Sequence, residues 1–310
     1  MRLPRLPRPG RDGWIAFILR EDHRLRQGWR ILLFLLAWFL LGPLLVAVPL
    51  GLLFPGREAP AWIAPLLGGL ATLLVSWGFL TLEDRPLASL GLWLNRRWLR
   101  QALMGLLLGL LLVALPALLL ASLGAIHWRP TEARALPILA AGLLIAGARA
   151  FSQEIFARGY VFQRLAAGLG RWPAQGLVAM GFLVIHGLIP GAFGLSRLLD
   201  LSALVLMSLV LGEAFLRTRS LALPLGLNAG WTFAQATLLG FSTGGQSTPG
   251  LYLPTANPAF SPWLTGGTSG MEASLPGMLA TAVTLLVLIL LGRRQNRFKD
   301  PDWDEPSRIM

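Results

Sequence analysis

Ile31-Leu-Leu-Phe-Leu-Leu-Ala-Trp-Phe-Leu-Leu-Gly-Pro-Leu-Leu-Val-Ala-Val-Pro-Leu-Gly-Leu-Leu-Phe54 carries no charge, and the indole of Trp38 is its one side chain able to hydrogen-bond. A helix crosses the hydrocarbon core of a bilayer with about 20 mostly apolar residues, so this stretch is long enough. Seven further runs resemble it: Ala61–Leu82, Ala102–Ala125, Ala135–Ser152, Ala174–Pro190, Leu201–Leu216, Leu221–Leu239 and Ser274–Gly292. The composition agrees. The chain is 55% hydrophobic and 14% charged, against about 45–50% and about 25% for soluble domains. A soluble enzyme, a disordered chain and collagen are excluded. The expected fold is an all-α, polytopic transmembrane bundle of about eight spans.

The absence of cysteine removes disulfides, thiolate metal sites, thiol nucleophiles and palmitoylation. The formal charge of +12 first suggests nucleic acid, but the placement of the arginines points elsewhere. Eight lie in residues 1–30, which lack an apolar stretch long enough for a signal peptide. With eight spans, the same side holds Arg85, Arg96, Arg97, Arg100, Arg164, Arg171, Arg217, Arg219 and the tail from Arg293. The opposite loops hold Arg57, Arg129, Arg134 and Arg197. Under the positive-inside rule both termini are cytoplasmic in a multi-pass cell (inner or plasma) membrane protein. Each juxtamembrane arginine gains about 1 kcal/mol beside anionic lipid. Lipid is therefore the expected partner of the basic segments, and no nucleic acid is needed. The organisation reads as a basic cytoplasmic arm (1–30), N-terminal membrane helices (31–125), a second membrane unit (135–292) and a cytoplasmic tail (293–310). Thr81–Gln101 reads as a cytoplasmic loop with an interfacial stretch, and Phe241–Ala273 as a long external loop whose single charge is Glu272.

Ionisable and polar side chains inside a bilayer are costly, so each is a functional candidate. They gather in the second half of the chain. Glu154 and Arg158 lie four residues apart on one helical face, with Gln153 beside them. His186 stands four residues after Phe182, Asn228 and Thr232 are again four apart, and Glu213 precedes Arg217 by four. Taken singly, each has a bland explanation. Glu154–Arg158 can be a charge-neutralising pair, His186 a hydrogen-bonded core histidine, and Asn228 and Thr232 interhelical glue. Glu213–Arg217 reads as structural.

Their order resembles the CPBP family of intramembrane endopeptidases, which includes type II CAAX prenyl proteases and bacteriocin-processing proteins. That family's pattern is Glu-Glu-x-x-x-Arg, then Phe-x-x-x-His, then His-x-x-x-Asn, on separate helices. This chain reads Gln153-Glu154-Ile-Phe-Ala-Arg158, Phe182-Leu-Val-Ile-His186, and Asn228-Ala-Gly-Trp-Thr232 within similar flanks. Trp263–Glu272 is also similar to family members. The resemblance covers roughly residues 135–292 and implies peptide-bond hydrolysis near the membrane, with the first glutamate activating water and the histidines and asparagine orienting it or stabilising the oxyanion. Three of those four catalytic positions are changed. Gln153 cannot accept a proton at neutral pH, and neither Asn228 nor Thr232 can shuttle one. Loss of a general base costs about 10²–10⁴ in rate.

The expected function is therefore that of a pseudoprotease binding a membrane-associated peptide or protein. An active endopeptidase using Glu154 and His186 is the alternative, and a transporter is a third reading, since Glu, Arg and His also suit an ion path. No cofactor is expected. A catalytic zinc takes three protein ligands, and His23 and His127 lie away from His186, so no metal is expected.

Overall fold

The structure is a computed structural model, and it describes residues 25–187, 194–241, 250–267 and 270–293. Most of the arm (1–24) and most of the tail lie outside the described residues. Among the described residues, eight helical segments run in chain order: α1 (Gln27–Leu53), α2 (Ile63–Leu82), α3 (Arg96–Ser122), α4 (Ala135–Arg158) continued by α5 (Tyr160–Leu169), α6 (Arg171–Gly187), α7 (Leu195–Thr218), α8 (Ala222–Thr232) and α10 (Leu275–Arg293). A short α9 (Pro262–Thr265) lies between α8 and α10. Six of these, counting α4 and α5 together, are long and apolar enough to cross a membrane. The protein is an all-α, multi-pass membrane bundle.

Several span boundaries move. The fourth run does not stop at Ser152, because the polar stretch after it stays helical to Arg158 with its charges buried. It turns at Gly159, where a Cβ would sit 2.1 Å from the Ile155 carbonyl. α3 starts at Arg96 rather than Ala102, since Asn95 caps it by accepting the Trp98 N–H at 2.8 Å. The seventh run divides into the eleven-residue α8 and a π-helical stretch, Phe233–Leu238. The predicted Glu213–Arg217 pairing is replaced: Glu213 accepts from Arg171 at 2.6 and 2.7 Å and from Gln175 at 2.6 Å, tying α6 to α7.

The Phe241–Ala273 connection contains β2 (Tyr252–Ala256), which pairs antiparallel with β1 (Ile126–Pro130), Trp128 opposite Pro254. This ribbon marks one end of the bundle. The other, basal end is sealed by Glu83, which accepts the Tyr160 hydroxyl at 2.5 Å and pairs with Arg164 at 2.6 Å and Arg30 at 3.4 Å. There Gly91 (φ +89°) packs against the turn between α7 and α8, where a Cβ would fall 2.9 Å from Ser220 Cα. Its carbonyl accepts from Leu221 N, Trp98 Nε1 and Ser220 Oγ.

The helix that carries Asn228 is fixed by glycines. Gly105 and Gly109 on α3 face Gly226 and Gly230 on α8, and a Cβ on any of the four would come within 2.3 Å of a backbone oxygen on the other helix. Small residues four apart let two membrane helices approach backbone to backbone, with dispersion replacing the absent hydrophobic drive. Gly226 and Gly230 each lie two positions from Asn228, about 200° around the helix. The glycine side therefore meets α3, and Asn228 projects from the opposite side toward α4.

A labelling experiment reads the sidedness expected from the arginines. In this cysteine-free chain, Arg97→Cys at the basal end should resist an impermeant thiol reagent in intact cells. Arg129→Cys on the ribbon should react, and the reverse pattern would invert the topology.

Candidate functional site

α4 brings Gln153 and Glu154 to the face of α8 that carries Asn228 and Thr232. Asn228 Nδ2 donates to Glu154 Oε1 at 2.8 Å and to Gln153 Oε1 at 3.1 Å. The Thr232 hydroxyl donates to Asn228 Oδ1 at 3.4 Å, a long bond. Glu154 is fully buried and lies 3.3 Å from Arg158 Nη1, one helical turn along α4. Arg158 in turn donates from Nη2 to the Ser208 carbonyl at 2.8 Å and to its hydroxyl at 3.0 Å, linking α4 to α7. Its guanidinium lies 5.4 Å from the centre of the Phe182 ring on α6. Four helices thus meet on one buried ion pair, with the amide of Gln153 at its exposed edge.

Five of the six residues singled out from the sequence come together here: Gln153, Glu154, Arg158, Asn228 and Thr232. His186 falls on the last turn of α6, one turn beyond Phe182, and its side chain lies outside the described residues. Among the described residues no three His, Cys, Asp or Glu side chains form a group able to hold a metal.

Residues 132–234 match one protein family, the type II CAAX prenyl endopeptidase Rce1-like family. The matched segment, about a third of the chain, is similar to that family. It covers α4 to α8 and so contains all six candidate positions. No curated protein and no solved structure matches the chain.

The chemistry of this CAAX-protease-like site follows from its donors and acceptors. Both hydrogens of the Asn228 amide group point at carbonyl-type oxygens, and its own oxygen takes the Thr232 hydroxyl. The carboxylate needs these partners, since an unpaired charge taken out of water costs several kcal/mol. Arg158 supplies the compensating charge and Ser208 fixes Arg158. Sequence reasoning missed Ser208, because a lone serine in an apolar span carries no signal of its own.

It also missed what Glu272 does. The 3₁₀ turn Met271–Ala273 brings this residue back from the long connection to α8, where Trp231 Nε1 donates to Glu272 Oε2 at 3.3 Å. Burial pushes its carboxyl up to about 7; the Trp231 and Gln235 hydrogen bonds oppose the shift, and the nearby Asp200 carboxylate adds to it. A folded-state value above the ordinary 4.5 means that the folded protein binds the proton more tightly than the unfolded chain. Stability contributed by this group is then fully present below about 4.5 and is lost as the pH rises to about 7. The melting temperature in detergent should therefore be higher at pH 5 than at pH 8, and Glu272→Gln should flatten that difference. An unchanged pH slope in the variant would show that Glu272 does not titrate in this window.

Proposed function

We propose that this protein is a membrane-embedded pseudoprotease of the CAAX-protease type, which holds a membrane-associated peptide or protein without hydrolysing it. One observation carries the reading: the position where the family resemblance requires a base is the amide of Gln153, and the adjacent carboxylate, Glu154, is buried against Arg158 and Asn228. A general base must accept a proton from the attacking water within hydrogen-bond reach. Gln153 has no basic atom, Glu154 Oε1 takes two donors, and Glu154 Oε2, though without a hydrogen-bond partner, is buried.

What remains suits binding. Gln153 is the exposed member of the group, and its amide can pair with a peptide backbone, which presents one donor and one acceptor per residue. The site also sits toward the basal end of the bundle. Asn228 is six residues into α8, about 9 Å from its start, and Glu154 is about 6 Å from the end of α4. The arginine asymmetry supports a cytoplasmic reading of that end. Segments entering from the cytoplasmic interface are the natural occupants.

The test is a comparison of capture with turnover in lipid nanodiscs. Membrane-proximal peptides carrying a photoreactive group should crosslink near Gln153 and emerge uncut. Turnover at ordinary enzyme rates, about 1–10³ s⁻¹, abolished by Glu154→Gln, would instead make Glu154 the working base and the protein an active endopeptidase.

A further inference from the structure

α3 begins at the basal end with Arg96, Arg97 and Arg100, and no acidic residue stands in its first turn. A helix start is the less favourable end for cations, because its exposed N–H groups carry partial positive charge. Other arginines of this end are used differently. Arg30 and Arg164 pair with Glu83, and Arg171 pairs with Glu213. Arg96 and Arg100 instead project exposed. At about 100° per residue they share one side of α3 with Leu103, Leu107 and Leu111, within about 80° of arc. Those leucines are exposed too. Gly105 and Gly109 fall on the opposite side, against α8. The outer face of α3 is therefore a stripe with two cations at its head and hydrocarbon below them.

We propose that this stripe binds one anionic phospholipid, its phosphate on Arg96 and Arg100 and an acyl chain along Leu103 to Leu111. The dimensions fit a single leaflet. Arg100 and Leu111 lie about 17 Å apart along the helix axis, against about 15 Å for half of the hydrocarbon core. The headgroup then stays at the basal interface and the chain runs inward from it, as in the surrounding bilayer. A guanidinium suits phosphate by its charge and by its paired N–H donors. Cations near the surface also draw anionic lipid in preference to zwitterionic lipid. A free phosphate or a nucleic acid would leave uncovered the leucines that continue directly from the cations. The other face of α3 seats α8, so a lipid bound only to the folded protein adds to its stability. The proposal depends on α3 alone and stands whether or not the site beside Asn228 cleaves.

The experiment places the full chain in nanodiscs of equal phosphatidylglycerol and phosphatidylcholine, with an acyl-chain diazirine on one lipid and then on the other. After irradiation, adducts on Leu103–Leu111 are mapped by mass spectrometry. The internal reference is Leu74 and Trp77, exposed on α2, whose basal end leads into Glu83 and Asp84. The phosphatidylglycerol-to-phosphatidylcholine ratio on α3 should exceed that on α2 by on the order of tenfold. Arg96→Gln/Arg100→Gln should bring the two ratios together. It should also shrink the rise in melting temperature that the parent shows in phosphatidylglycerol over phosphatidylcholine. Arg96→Lys/Arg100→Lys, which keeps both charges, should retain most of the preference. Enrichment that survives the glutamine variant would trace to the arginine-rich arm and overturn the proposal. So would equal ratios on α3 and α2 in the parent, or a stripe that neither lipid labels because a second copy of the chain covers it.

Discussion

Gln153→Glu/Asn228→His is expected to gain measurable peptide cleavage, while each single change stays near background. Asn228 Nδ2 already lies 3.1 Å from the Gln153 oxygen, so a carboxylate and an imidazole at these positions would meet as a base and its proton partner. Gln153→Glu alone places a second carboxylate beside Glu154, and like charges held close cannot both ionise freely. Asn228→His alone supplies a proton carrier with no base to serve. Groups that act as a unit are strongly non-additive, so the singles fall short of half the gain. The double variant should exceed the parent by about 10²–10⁴, and Thr232→Asn should raise it further. The check is a fluorogenic membrane-proximal peptide in nanodiscs. A double variant that captures peptide as the parent does and cuts none would show that these positions do not frame a hydrolytic site.

Arg158→Met should be the most damaging single change to folding. Its side chain is 1% exposed and is held by Glu154, by Ser208 and by the face of Phe182. Removing one partner of a buried pair leaves the other charge uncompensated, at about 3–5 kcal/mol. Glu154→Gln/Arg158→Met removes both charges, and its melting temperature should return most of the way to the parent's. Arg158→Lys should rescue only in part, because an ammonium is a point donor and cannot span Glu154 and Ser208 as the guanidinium fork does. Equal melting of Arg158→Met and the double variant would mean that the pair carries no folding energy.

The membrane class and the grouping of the polar residues were legible in the sequence, and the reasons differ. Apolar length alone identifies a helix such as Ile31–Phe54, because the bilayer imposes a minimum. Gln153, Asn228 and Thr232 could be grouped only through the order of the family motifs, since no local rule says which helices touch. Hydropathy ended the fourth span at Ser152 because it reads charge as surface, whereas Glu154 and Arg158 neutralise each other inside the protein. Glu213 was matched with Arg217 by spacing along one helix, and its partner came from the preceding helix, at Arg171. Glu272 is separated from Trp231 by a loop whose path no spacing rule encodes. The pairing of Gly105-Leu-Leu-Leu-Gly109 with Gly226-Leu-Asn-Ala-Gly230 was written in the sequence, but as spacing among so many leucines that it did not stand out.

That glycine contact bears on how such a protein changes over evolutionary time. α8 is seated by backbone atoms on the side facing away from Asn228, so its position is indifferent to which side chain occupies positions 228 and 232. A change of side chain there leaves the glycine contact with α3 untouched. The α3–α8 contact is thereby kept apart from the positions that vary in the candidate site, and the cost of a change there falls on the partners of Glu154 rather than on the seating of the helix.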